Sequence, residues 1–96
     1  MNVIAKRTLR EFYGAHAKAK GPMESWHKEC TRANWSKFAD VKEVYHSADL
    51  VGNKIVFNIG GNNYRIVCKV DFSGQVMFIK WVGTHAEYDR LDVSKL

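Results

Sequence analysis

The chain has one proline, two cysteines and no apolar run long enough to cross a bilayer. Its longest apolar stretch, Val76 to Val82, is interrupted by Lys80. The basic start, Met1 to Arg10, leads into no apolar signal core, so a cytoplasmic protein is expected. Cys30 and Cys68 lack CxxC spacing, and a secreted domain this small usually carries more bridges, so both thiols are expected to be reduced and buried. Walker, Rossmann, zinc-finger and Ser-His-Asp patterns are missing. His16, His27 and His46 are scattered without metal-ligand spacing, so neither a metal site nor a cofactor is expected. Acid is scarce too. Ten Asp and Glu face fifteen Lys and Arg, for a net charge of +5. That balance suits an anionic partner, and RNA, DNA, an acidic protein or a membrane surface all satisfy it.

What is present fits one domain over residues 1–96, large enough for a single core of two layers. Asn2 to Ala5 reads as a short first strand. Thr8 and Glu11 have capping-box spacing for a helix running to about Ala19, with Leu9, Phe12, Tyr13 and His16 near one face. Gly21-Pro22 should break the chain before a second helix from about Pro22 to Ala33, carrying Met23, Trp26, Cys30 and Ala33 at helical spacing. Ser36 to Tyr45 holds a short helical turn, followed by a loop through Gly52.

From Lys54 the period changes to two. Lys54 to Ile59, Tyr64 to Phe72 and Gln75 to Val82 read as three hairpin strands joined by Gly60-Gly61-Asn62-Asn63 and Ser73-Gly74. The expected fold is α+β, in the order β-α-α-β-β-β. Two N-terminal helices cover one face of a four-stranded, mainly antiparallel sheet, and a short C-terminal helix follows.

Alternation sends Ile55, Phe57, Ile59, Tyr64, Ile66, Cys68, Val70 and Phe72 toward the helices. Lys54, Val56, Asn58, Arg65, Val67, Lys69 and Asp71 take the opposite side. Any sheet covered on one side has a polar outer face. Here, however, Asp71 alone opposes three cations, and a cationic sheet can bed a phosphate backbone.

Thr84 and Glu87 repeat the capping-box spacing, so a final helical turn should start at His85, with Tyr88 on its face. RNA can be cut when its own 2′-hydroxyl attacks the adjacent phosphorus, given a proton acceptor, a donor for the leaving oxygen and cations for the developing charge. His85, Tyr88, Arg65 and Lys69 are the right types. On spacing alone, an isolated histidine on a terminal helix is more often just solvated.

The segments FNIGGNNYR (Phe57 to Arg65) and GTHAEYD (Gly83 to Asp89), together with Trp35, Asp40-Val41-Lys42 and Ala48-Asp49, closely resemble the HigB family of type II toxins. The resemblance implies a RelE-like fold and ribosome-dependent, metal-independent cleavage of translated mRNA, which inhibits translation and growth. It implies a helix-turn-helix antitoxin of the HigA type, operator DNA contacted only through the antitoxin complex, and no membrane partner. It places Arg65 at the scissile phosphate, His85 on the segment where RelE has arginine, and Tyr88 near the base or the attacking hydroxyl. General base and general acid stay open among His85, Tyr88, Lys54 and Lys69, and Asn58 and Asn62 join the two lysines as RNA contacts. A ParE-like toxin that cleaves nothing would share the fold, but it has no use for this proton-transfer set. A non-catalytic RNA-binding module usually displays aromatics on its sheet, whereas Phe57 and Phe72 fall on the covered side. A plain protein-interaction domain is the remaining class.

Overall fold

A computed structural model describes residues 1–96. Strand β1 (Asn2–Ile4) leads to helix α1 (Lys6–Ala15), a 3-10 turn at Ala17–Ala19, and helices α2 (Lys20–Arg32) and α3 (Phe38–Val44). Strands β2 (Asp49–Val51), β3 (Lys54–Ile59), β4 (Tyr64–Asp71) and β5 (Val76–Thr84) follow, then helix α4 (His85–Tyr88) and a 3-10 turn at Val93–Lys95. The sheet runs β1-β5-β4-β3-β2, antiparallel except for the β1–β5 pair. The α+β architecture is the expected one, with two additions.

One addition is β2, an exposed edge strand where a loop was expected. Val51 pairs with Lys54, so Gly52 (φ +62°) and Asn53 form a two-residue hairpin turn. The second is the C-terminal segment, which folds back over the outer face of the sheet. Val93 packs there on Val56 and Val67, flanked by Trp81, Tyr88, Leu91 and Leu96.

The helix boundaries differ from expectation. Thr8 and Glu11 do not cap α1: its N-cap is Ala5, with no side-chain cap, and Glu11 accepts instead from Arg7 Nε at 2.9 Å. The break falls at His16, not Gly21-Pro22. The His16 ring stacks on Phe12 (centroids 4.1 Å apart, planes 5° apart), and its backbone N–H donates to Phe12 O. Gly21 and Pro22 then lie in the first turn of α2, where a missing proline N–H costs nothing.

The core forms where the two patterns meet. Leu9, Met23, Trp26 and Cys30 from the helices pack on Ile55, Phe57, Ile66 and Cys68 from the strands, all 2% exposed or less. Trp26 meets Phe57 edge-on, with ring centroids 5.2 Å apart. Each such side chain stabilises the fold by about 1.5–3 kcal/mol. Both cysteines are free and buried, and burial pushes each thiol well up, leaving little nucleophilic thiolate.

Candidate active site

The expected strand register holds, but the outer face is not open. Lys54 and Arg65 are each only 6% exposed, and the C-terminal segment packs through Val93 on the Val56–Val67 pair that lies between them. Neither lies within 4.0 Å of a carboxylate. The expectation of a bare cationic surface is therefore corrected: two of its four polar groups are sunk in it. Val56 and Val67, directly opposed on β3 and β4, explain the cover, since two valines facing outward need an apolar lid.

Arg65 pairs with Asn58 on β3 and with Gly83 on β5. Its Nη1 donates to Asn62 O at 2.9 Å and to Tyr64 O at 3.1 Å, and its Nη2 donates to Asn62 Oδ1 at 2.8 Å. The Tyr88 ring stands 5.8 Å from the guanidinium carbon. The His85 backbone N–H donates to Asn63 O at 2.9 Å, tying the start of α4 to the β3–β4 turn. The His85 side chain is 45% exposed, with Nε2 3.5 Å from Asp89 Oδ1. Arg65, Asn58, Asn62, His85 and Tyr88 thus gather at one end of the face. Lys54 and Lys69 pair with each other at the other end, four residues along, or about 13 Å at roughly 3.3 Å per residue. Lys54 donates to Asn53 Oδ1 at 3.0 Å, and Lys69 is exposed.

The expected capping box at α4 is present. Glu87 N donates to Thr84 Oγ1 at 3.2 Å, and Thr84 N donates to Glu87 Oε1 at 2.8 Å. The backbone bond from Thr84, then the side-chain bond, lowers the Glu87 carboxyl below its usual range. A lowered folded value means the cap contributes above the ordinary glutamate pKa and is lost as pH falls through the folded one. Acidification below the usual glutamate range should therefore loosen His85 and Tyr88 before the core melts. Amide exchange of α4 compared with β4 between pH 6 and pH 3 checks this. Equal protection of the two elements across that range would contradict it.

Trp81 is the residue that pattern reading missed. The β4–β5 register shifts between Val67 and Cys68, so Cys68 faces Ile79 while Val67 faces Trp81, and Lys80 is the extra residue. The shift turns Trp81 onto the outer face, 6.1 Å from the Tyr88 ring. Phe78, opposite Lys69, shares that face at 38% exposure, with Lys80 Nζ 5.9 Å from its ring. The outer face is therefore not without aromatics.

A HigB_toxin family model, described as the RelE-like toxic component of a toxin–antitoxin system, matches residues 19–91. The chain belongs to the HigB toxin family. It is the toxin of a toxin–antitoxin pair, and its family implies a cognate antitoxin. It is 29% identical over 92 residues to the mRNA interferase toxin HigB of Escherichia coli (strain K12), spanning 93% of this chain and 88% of that protein. The same figures hold for the mRNA interferase HigB of Shigella flexneri. Within this HigB-family fold, His, Cys, Asp and Glu form no group of three that could hold a metal. No helix is long and apolar enough to cross a membrane.

Proposed function

We propose that this HigB-family toxin cleaves messenger RNA on translating ribosomes through attack of the RNA 2′-hydroxyl on its neighbouring phosphorus. One observation carries the reading. Arg65 is nearly buried without a carboxylate partner, the Tyr88 ring faces its guanidinium, and the His85 backbone is tied to the turn next to it. A desolvated cation with no counter-ion is a costly feature unless an anion arrives to meet it. The scissile phosphate is that anion.

In the proposed reaction the 2′-oxygen loses its proton and bonds to phosphorus as the bond to the 5′-oxygen breaks and that oxygen takes up a proton. Arg65 holds the phosphate and stabilises its developing charge. His85, at the rim and accessible, moves a proton, and Tyr88 orients the nucleotide. Asn58 and the Lys54–Lys69 pair extend the track along β3 and β4, where the like charges of the two lysines also favour an anion. At about 13 Å from Arg65, the lysines suit a flanking phosphate better than the reacting one. The reaction draws on no metal or cofactor. The antitoxin is proposed to be a helix-turn-helix protein of the HigA type that alone carries the complex to operator DNA, and the toxin is proposed to work in the cytoplasm.

The test is cleavage of a defined mRNA on translating ribosomes by His85→Ala and Arg65→Ala proteins whose melts match the parent. His85→Ala should lose about 10²–10⁴ in rate, and a chelator should leave the parental cuts unchanged. Parental cleavage by both variants would place the chemistry elsewhere. Growth arrest without new mRNA 5′ ends would favour a toxin that cleaves nothing.

A further inference from the structure

A guanidinium offers five N–H donors in a planar fork. On Arg65 three are taken: Nη1 by Asn62 O and Tyr64 O, and Nη2 by Asn62 Oδ1. Asn62 thus grips the two terminal nitrogens with its own two oxygens, one from backbone and one from side chain. What remains is the Nε–H and one Nη2–H, the side edge that can take two phosphate oxygens at once. That edge is not sealed. Nε donates to nothing in the protein, and the one fully buried side-chain nitrogen without a partner is Trp26 Nε1, so Arg65 Nε keeps some access to solvent although the residue is only 6% exposed.

The turn is shaped for this grip. Gly60 and Gly61 have φ of +64° and +63°, and Asn62 continues at +87°, in the left-handed region that asparagine tolerates better than most side chains. That conformation lets one residue aim its carbonyl and its side-chain oxygen at the same guanidinium. An asparagine whose Oδ1 is spent on arginine does not offer that oxygen to RNA.

We infer that Asn62 is the positioning residue of this site: it clamps the terminal nitrogens of Arg65 so that the Nε–Nη2 edge faces the RNA phosphate. The inference rests on the reading of Arg65 as phosphate ligand, and it refines the expectation that Asn62 binds RNA directly.

Asn62→Gly keeps the positive φ and the backbone carbonyl and removes the side chain, Oδ1 included. Two measurements decide the outcome. In the free protein, NMR of the Arg65 side-chain nitrogens should show a rigid guanidinium in the parent and freer rotation in Asn62→Gly. Asn62→Asp, which keeps an acceptor at the same place, should restore rigidity. On ribosomes, Asn62→Gly should lower kcat by about 10- to 10²-fold, as a misplaced reacting group does, with KM within about twofold. Equal guanidinium order in parent and Asn62→Gly overturns the clamp. So does a raised KM at unchanged kcat, which would make Asn62 an RNA ligand. If Arg65→Ala cleaves like the parent, the phosphate reading fails, and the NMR comparison still decides whether the clamp exists.

Discussion

Lysine at position 65 is expected to lower mRNA cleavage by about 10²–10³-fold, nearly as far as alanine would. The charge survives this substitution and the fork does not. An ammonium is a compact point charge on a flexible stem, whereas Arg65 presents a plane with one end held by Asn62 and one edge left over. Lysine can meet Asn62 or the phosphate, but not both along one fixed direction. Stability should fall as well. Three hydrogen bonds are lost and partly replaced, each with a net worth of about 0.5–1.5 kcal/mol, so a drop of about 1–2 kcal/mol should show in denaturant melts. Cleavage by Arg65→Lys within a few-fold of the parent would mean that positive charge alone serves the phosphate.

The sheet hairpin was legible because its signals agree. Alternation from Lys54 to Ile59 and from Tyr64 to Asp71, broken only by Val56 and Val67, with Gly-Gly-Asn-Asn between, specifies both strands and their faces, and the register follows. The Thr84–Glu87 cap was legible for the same reason. The Thr8–Glu11 pair matched the same spacing and failed, because Arg7 competes for the carboxylate and α1 already starts at Lys6. Trp81 was hidden by one extra residue: continuing the alternation through Lys80 would turn it inward, and the register shift turns it out. The C-terminal cover had a readable sign. Val56 and Val67 stand on a face otherwise read as polar, and two opposed valines there call for something apolar above them. That lid sits between Lys54 and Arg65, which are nearly buried with no carboxylate beside them, and their unmet charge suits this face to an anion.

Gly83→Ala is expected to disturb both the fold and the site, because the Trp81 indole occupies the space a side chain would need. A Cβ on Gly83 would lie 2.3 Å from one ring carbon of Trp81 and 2.5 Å from another, both inside van der Waals contact. Those atoms belong to a ring packed against Tyr88 and the Val93 cluster, so the ring must swing away as a unit. Gly83 is also the cross-strand partner of Arg65, which puts the displaced indole beside the guanidinium and the Tyr88 ring above it. Overpacking of this kind costs about 1–3 kcal/mol, and the loss of an ordered Tyr88 should lower cleavage in parallel. A double-mutant cycle separates the clash from any backbone effect. If Trp81 is the obstacle, Gly83→Ala should cost little in a Trp81→Ala background, giving a coupling of about 1–3 kcal/mol between the two positions. An equal cost in both backgrounds would show that alanine strains the strand itself, and the account of a glycine kept for an indole would be wrong.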